Sequence, residues 1–233
     1  MPMNTTCGAP LPARTDIACG LLAGGEGKRL GGVSKALVPI AGQPMAAWAL
    51  DSVRRSVDVV ALSVHAPDPA LAVLGLPQVG DGPGPRLGPL AAVAALLDWA
   101  ETRGAKRLLT LPVDTPFPPA DLAERLTRAL DQAAATADPR DPPVAVASFA
   151  GRRHNAVALW PVGGRVAAIA ARLCRDGGGA LRALLEEAGS IAVAFDDLGP
   201  EDPFLNVNTP EDLAQIRGLA TTRLARRMAR THP

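Results

Sequence analysis

A short apolar run that ends in a glycine-rich, basic loop limits the folds open to this chain. Residues 16–23 are mostly apolar, which predicts a buried strand. Residues 22–32 then read Leu-Ala-Gly-Gly-Glu-Gly-Lys-Arg-Leu-Gly-Gly. Glycine lets a backbone turn its N–H groups toward an anion, and a plain turn would not need Lys28, Arg29 and Lys35 clustered beside it. The sequence therefore predicts a phosphate-binding loop at the end of a strand.

Two familiar phosphate-binding loops are excluded by their spacing. A P-loop has a glycine, four intervening residues and then Gly-Lys-Ser/Thr, but Leu22 stands at the glycine position and Arg29 at that of Ser/Thr. The dinucleotide fingerprint Gly-x-Gly-x-x-Gly is matched by Gly25 and Gly27 and broken by Leu30. The loop supports neither a P-loop ATPase nor a dehydrogenase.

Predicted strands and helices alternate along the rest of the chain. The apolar patterns predict further strands at residues 57–64, 107–113, 144–149, 156–160 and 191–195. They predict helices at residues 45–56, 90–100, 118–135, 166–174 and 180–188, and a last helix that opens at Thr209. This order predicts a single α/β domain with a Rossmann-like, mostly parallel sheet and helices on both faces. Ligands bind such sheets at the carboxyl ends of the strands.

The composition argues against nucleic-acid and membrane partners and indicates the cellular compartment. The chain has 24 basic and 23 acidic residues and only 3% aromatic residues, which argues against nucleic acid as a partner. No apolar stretch is long enough to span a membrane, and the first fifteen residues lack the pattern of a signal peptide. The three cysteines are odd in number and have no metal-site spacing, so we expect a cytoplasmic protein in a reducing compartment.

Four stretches together resemble the molybdenum cofactor guanylyltransferase family. They are residues 22–35, residues 84–91 (Gly-Pro-Arg-Leu-Gly-Pro-Leu-Ala), residues 111–116 (Leu-Pro-Val-Asp-Thr-Pro) and residues 206–212 (Asn-Val-Asn-Thr-Pro-Glu-Asp). They follow the family order from about residue 17 to residue 217 and so cover nearly the whole chain. The resemblance implies a magnesium-dependent enzyme that transfers GMP from GTP to molybdopterin and releases pyrophosphate.

The resemblance also implies an organisation of the domain. Residues 16–220 would form the nucleotidyltransferase domain, with a GTP half up to about residue 117 and a molybdopterin half after it. Composition adds two flanking segments: residues 1–15 mix Pro, Gly and polar residues without periodicity, which predicts a loose leader, and residues 221–233 are rich in arginine, which predicts a basic tail. Molybdoenzymes or their chaperones would be possible protein partners.

On the GTP side, the resemblance implies roles for the glycine-rich loop and two cations. Backbone groups of the loop would bind the nucleotide, and they belong to Leu22, Ala23, Gly24 and Gly25. Lys35 would neutralise the α-phosphate, where charge redistributes during transfer. Arg29 would pair with the leaving pyrophosphate, and Lys28 is a second candidate for that role.

The resemblance also implies that two carboxylates bind the metal and the base. Asp114 would hold Mg²⁺ together with phosphate oxygens, and the alternative is an N-cap of the helix after Pro116. Asp81 would accept the N1–H and the 2-amino group of guanine, and the alternative is a turn before Gly82. Ser63 stands where the family often has Asn and would hydrogen-bond the base.

The acceptor side is predicted from the C-terminal half. Asn206 and Asn208 resemble the family's molybdopterin site, and the alternative is that they only begin a helix. His154 lies on the predicted turn 151–155, where it would contact the pterin or be a solvated surface residue.

Two other functions stay open on the sequence. One is nucleotidyl transfer with another base or acceptor, such as CTP or a sugar phosphate, because a fold does not set the substrate. The other is a carrier of the molybdenum cofactor with no enzymatic activity. A carrier would have no use for Lys35 and Asp114 together, since both serve a metal-bound triphosphate.

Overall fold

The strands and helices of the computed structural model, which describes residues 16–24, 34–81, 88–135 and 141–231 (side chains up to residue 224), follow the predicted order. The strands are β1 (Ile17–Leu22), β2 (Pro39–Ile40), β3 (Gln43–Pro44), β4 (Val59–Val64), β5 (Gln78–Gly80), β6 (Arg107–Pro112), β7 (Val144–Phe149), β8 (Arg152–Pro161) and β9 (Ser190–Ala194). The helices are α1 (Met45–Val53), α2 (Pro89–Thr102), α3 (Leu122–Ala134), α4 (Gly164–Arg175), α5 (Leu181–Ala188) and α6 (Pro210–Thr231).

Seven strands form one twisted sheet in the order β5-β4-β1-β6-β8-β7-β9. Strand β8 runs antiparallel to both of its neighbours, and the other pairings are parallel. The predicted Rossmann-like, mostly parallel sheet is confirmed. The four strands β5, β4, β1 and β6 therefore all point their carboxyl ends to the same edge.

Helices cover both faces of the sheet, as predicted. Cys19 and Leu21 of β1 lie in the cluster that buries α1 and α3. Ala18, on the opposite side of the same strand, lies in the cluster that buries α2, α4 and α5. Burial on both faces explains why the central strands read as continuous apolar runs instead of alternating ones.

A third cluster attaches α6 to the N-terminal half of the chain. Ile216 and Ala220 of α6 are buried together with Met45, Trp48 and Phe117. The rings of Trp48 and Phe117 meet edge to face with centroids 5.3 Å apart, and Trp48 Nε1 donates to the carbonyl oxygen of Ile40 at 2.9 Å. The helix continues through the segment predicted as a basic tail. No helix in the described ranges is both long enough and apolar enough to cross a bilayer.

Three local predictions were wrong. Helix α3 starts at Leu122, four residues later than residue 118, and Pro119 keeps at least Pro118 out of the helical region. The hairpin between β7 and β8 turns at Ala150 and Gly151, whose φ angles are 47° and 76°, and not over residues 151–155. Strand β5 was missed because three residues are too few to show a period.

Helix α2 lies unusually close to the sheet at Gly20. A Cβ atom added to Gly20 would lie 2.3 Å from Cδ1 of Leu96 and 3.0 Å from its Cγ. Leu96 is fully buried, so its side chain can give way only by displacing other core atoms. The absence of a side chain at residue 20 therefore sets the distance of α2 from β1.

We expect Gly20→Ala to lower the free energy of unfolding by about 1–3 kcal/mol, the usual cost of overpacking a core. In a Leu96→Ala background the same substitution should cost much less, because the clashing atoms are gone. Urea denaturation of the single and double variants measures both effects. Gly80→Ala is the matched control, since its Cβ would meet only the carbonyl oxygen of His65 at 3.8 Å. Equal costs of Gly20→Ala in both backgrounds would contradict the proposed contact.

Candidate functional site

A cavity of about 360 Å³ opens at the edge where the four parallel strands end. Many of the predicted site residues line it, namely Leu22, Gly24, Lys35, Asp81, Asp114 and Asn206. His65, Gly88 and Pro89, which the sequence analysis did not single out, also line it. A wider groove of about 630 Å³ beside α6 contains none of the predicted residues.

The strand order spreads the polar groups along the cavity. Asp81 follows β5, His65 follows β4, Gly24 follows β1 and Asp114 follows β6. Neighbouring strands lie about 4.8 Å apart, so the two end strands are separated by roughly 14 Å. Two carboxylates therefore stand at opposite ends of an elongated cavity.

Lys35 occupies the end of the cavity nearest β6. Its Nζ donates to Oδ2 of Asp114 at 2.8 Å and to Oδ1 of Asn208 at 2.6 Å. The side chains of Lys35 and Asp114 are only 13% and 16% exposed, so water screens this ion pair less than a surface pair. One ammonium group thus joins the N-terminal half, the end of β6 and the start of α6.

Asp114 is not a helix cap. Helix α3 begins at Leu122 with Asp121 before it, so the alternative function considered for Asp114 does not apply. Its Oδ1 is buried and has no hydrogen-bond partner among the described residues. A buried carboxylate oxygen without a partner is costly, and a cation in the cavity would satisfy it.

The donor set at Asp114 fits a magnesium ion that its substrate helps to hold. The described residues contain no group of three or more His, Cys, Asp or Glu side chains suited to a metal. Mg²⁺ is commonly bound by one or two carboxylates together with substrate phosphates and water. Asp114 supplies one such carboxylate on the wall of the cavity.

The C-terminal motif both starts a helix and reaches the cavity. Thr209 Oγ1 accepts from the backbone N–H of Asp212, and Oδ2 of Asp212 accepts from those of Asn208 and Thr209. These backbone donors lower the pKa of Asp212. The side chain of Asn206 accepts from the Thr115 hydroxyl at 2.9 Å. The two alternatives considered for the asparagines are therefore compatible.

Asp81 lies at the far end of the cavity beside a buried serine. The hydroxyl of Ser63 is 3.4 Å from Oδ1 of Asp81, and Ser63 is only 1% exposed. Burial raises the pKa of Asp81, while the Ser63 hydrogen bond and the nearby His65 partly offset this. Ser63 does not line the cavity, so it contacts the carboxylate and not the space where a ligand would lie.

Some backbone groups of the first residues of the glycine-rich loop form hydrogen bonds with neighbouring strands. The backbone N–H of Ala23 donates to the carbonyl oxygen of Ser63 at 2.9 Å, and that of Val113 donates to Leu22. Ala23 is buried and does not line the cavity. The predictions for Gly25, Lys28 and Arg29 fall outside the described residues.

His154 is not a solvated surface residue. It lies within β8, is 9% exposed, and packs its ring against Phe204 with centroids 5.0 Å apart. Its Nε2 lies 3.3 Å from Oδ2 of Asp202. Burial lowers the pKa of His154, with the Asp202 carboxylate acting in the opposite direction.

A smaller cavity of about 150 Å³ adjoins the first one. Arg152, Arg153 and His154 line it, and it shares Pro112, Ala156 and Asn206 with the larger cavity. Cationic side chains therefore lie directly beyond Asn206.

Besides Gly88 and Pro89, the sequence analysis gave no role to His65 and Thr115. His65 follows the end of β4 two positions after Ser63, and Thr115 holds Asn206. The rule that ligands bind at the carboxyl ends of parallel strands would have pointed to His65. Nothing in the local sequence pairs Thr115 with a residue 91 positions away.

The chain is similar over most of its length to proteins of known family. The model of the MobA-like NTP transferase domain matches residues 19–193. A molybdenum cofactor guanylyltransferase of Acidiphilium cryptum is 44% identical over 205 residues, which cover 87% of this chain and 94% of that protein.

Solved structures share the fold. Molybdopterin-guanine dinucleotide biosynthesis protein A from Archaeoglobus fulgidus superimposes with a TM-score of 0.66 at 19% identity, covering 88% of this chain and 99% of that one. A 2-C-methyl-D-erythritol 4-phosphate cytidylyltransferase from Thermus thermophilus gives a TM-score of 0.58 at 19% identity, covering 87% and 98%. The fold is therefore found with different nucleotides.

We expect Asp81→Asn to stabilise the ligand-free protein at pH 7. A raised pKa means that folding disfavours the ionised carboxylate, and this cost is present above the folded pKa and absent below about 3.9, the ordinary value for Asp. The gain in the free energy of unfolding should therefore shrink as the pH falls through that range, which urea denaturation at several pH values measures.

Asp212→Asn is the control of opposite sign. The pKa of Asp212 is lowered by backbone donors, so its replacement should reduce stability at pH 7. A loss of stability in Asp81→Asn at pH 7 would contradict the assignment of a desolvated carboxylate.

Proposed function

The chain belongs to the MobA-like NTP transferase family, and on that basis we propose that it transfers GMP from GTP to molybdopterin with release of pyrophosphate. The observation that carries the proposal is the pairing of Asp81 at one end of the cavity with Lys35 and Asp114 at the other. The relatives at 36–44% identity are molybdenum cofactor guanylyltransferases, which supports guanylyl transfer as the activity.

The nucleotide would lie along the carboxyl edge of the sheet. Asp81 would accept the N1–H and the 2-amino group of guanine, and the phosphates would reach Lys35 and Asp114. Leu22 and Gly24, at the end of β1, lie between the two ends. Helix α2 begins at this cavity with Gly88 and Pro89, where the helix dipole favours negative charge.

The reaction would be a direct displacement at the α-phosphorus. An oxygen of the terminal phosphate of molybdopterin forms a bond to the α-phosphorus, and the bond from that phosphorus to the β-phosphate oxygen breaks. Pyrophosphate takes the electron pair and leaves, so no protein nucleophile is needed. Cys19 would be a poor nucleophile, because burial raises the pKa of its thiol to about 12.

Lys35 would supply positive charge where negative charge redistributes. Its ammonium lies between Asp114 and Asn208 and would turn to the α-phosphate when the nucleotide binds. Arg29 would pair with the departing pyrophosphate, as the family resemblance implies.

Asp114 would hold Mg²⁺ through its carboxylate. The ion, when bound, neutralises phosphate charge and orients the triphosphate. Asp114 is kept in place for this by its own backbone, whose carbonyl oxygen accepts from the N–H of Val207 at 2.8 Å. The position of the carboxylate thus depends on the C-terminal motif.

The acceptor would enter from the C-terminal half. Asn206 borders both cavities, and Arg152 and Arg153 line the smaller one. Guanidinium groups there suit the phosphate of molybdopterin. Asn208 would be freed to bind the acceptor when Lys35 moves to the nucleotide.

The other two functions remain distinguishable from this one. Cytidylyl transfer is compatible with the fold, and the carboxylate at Asp81 argues against it because cytosine presents an acceptor at N3. A carrier of the cofactor would not need the Lys35–Asp114 pair. Location in the cytoplasm, and molybdoenzymes or chaperones as partners, stay predictions.

The first test is nucleotide choice. We expect pyrophosphate release from GTP, in the presence of Mg²⁺ and molybdopterin, to exceed that from CTP or ATP by about 30- to 150-fold, because a buried carboxylate facing an acceptor costs about 2–3 kcal/mol. A preference for CTP would replace the proposal with cytidylyl transfer. A lack of release from every nucleotide, together with tight molybdopterin binding, would favour the carrier.

The second test is the metal ligand. Asp114→Asn should lower turnover about a hundredfold or more, since the charge stabilisation supplied by a bound metal is worth several kcal/mol. Calorimetry should also show that Mg²⁺ no longer strengthens GTP binding. Asp121→Asn, which removes a carboxylate at the start of α3 and outside the cavity, is the matched control. Unchanged coupling between Mg²⁺ and GTP in Asp114→Asn would exclude the metal role.

A further inference from the structure

The base end of the cavity contains a histidine with an unused nitrogen. His65 follows β4, lines the cavity beside Asp81, and has a side chain that is 31% exposed. Its Nδ1 is buried and has no hydrogen-bond partner among the described residues. A buried polar atom in this state costs free energy that a ligand can recover by pairing with it.

The distance to Asp81 shows that the two residues do not satisfy each other. Nδ1 of His65 lies 4.0 Å from Oδ2 of Asp81, beyond the range of a hydrogen bond. An imidazole nitrogen can carry a proton and donate it in a hydrogen bond. Nδ1 of His65 and Oδ2 of Asp81 therefore lie side by side, without a hydrogen bond between them, in two residues that line the cavity.

We propose that His65 is a specificity residue that donates a hydrogen bond from Nδ1 to O6 of guanine. The proposal rests on the proposed function and adds a second contact to the base. Guanine presents the O6 acceptor next to the N1–H donor, which is the complement of a donor next to an acceptor. Asp81 by itself would contact only the N1–H and the 2-amino group of guanine.

The neighbours of Asp81 fix the direction in which guanine lies. Ser63 is next to Oδ1 and His65 is next to Oδ2, so the two oxygens have different surroundings. With O6 at His65, Oδ2 accepts from N1–H and Oδ1 accepts from the 2-amino group on the Ser63 side. All three polar groups of the base edge are then paired.

The same pair of residues rejects adenine twice. Adenine has an acceptor at N1 and an amine at C6, so Asp81 would meet an acceptor and His65 would meet a donor. Each mismatch leaves a protein group unpaired in a partly buried site. His65 would thus add to the discrimination that Asp81 provides.

Nucleotide analogues separate this role from an effect on Asp81. We expect His65→Leu to weaken binding of GTP and of inosine triphosphate by about tenfold each, because both carry O6. It should hardly change binding of 6-thio-GTP, whose sulfur is a weak acceptor. His65→Gln, which keeps an N–H donor, should retain most of the affinity. Asp81→Ala should instead cost more with GTP than with inosine triphosphate, which lacks the 2-amino group.

Calorimetric titration with Mg²⁺ measures these affinities, and thermal unfolding without nucleotide confirms that the variants fold. If wild type prefers GTP and His65→Leu binds GTP as tightly as wild type does, the contact to O6 is wrong and guanylyl transfer stands. The same holds if the variant loses affinity by the same factor for GTP, inosine triphosphate and 6-thio-GTP. If wild type has no preference for GTP, the proposed function fails and this inference fails with it. If His65→Leu does not fold, the comparison of His65→Gln with wild type decides: a loss that is the same for 6-thio-GTP as for GTP overturns the contact.

Discussion

The ammonium group of Lys35 brings together three parts of the chain that lie far apart in the sequence. It lies between Asp114, at the end of β6, and Asn208, at the start of α6, with 173 residues separating it from the latter. A partly buried ion pair is favourable only when its geometry is held, and here the third hydrophobic cluster holds it. Trp48 and Phe117 pack α6 against the N-terminal half, and this packing keeps Asn208 within reach of Lys35.

Much of the cavity could be predicted because its residues belong to local patterns. Leu22, Lys35 and Asp114 stand in short motifs beside apolar strands, and parallel strands bring their carboxyl ends together. The burial of His154 could not be predicted from the sequence, because the residues that lie against its ring, Asp202 and Phe204, are about 50 positions further along the chain. The role of Ser63 was also set by tertiary contacts, since its hydroxyl faces Asp81 and not the cavity.

The carboxylates at the two ends of the cavity have different electrostatic surroundings. At Asp114 the carboxylate is already paired with a lysine, whereas at Asp81 burial raises the pKa and only a hydroxyl and a histidine offset it. The protein therefore tolerates an unfavourable carboxylate at the end of the cavity where we propose that guanine binds. Such a cost is typical of functional sites, where binding relieves what folding does not.

The short strand β5 sits at the rim of the sheet, three strands away from β6. Exchange of this rim segment would leave the buried central strands untouched, because β5 pairs with β4 alone. The base preference that we propose for Asp81 would then be open to change by substitutions at the rim, while Lys35 and Asp114 keep their positions.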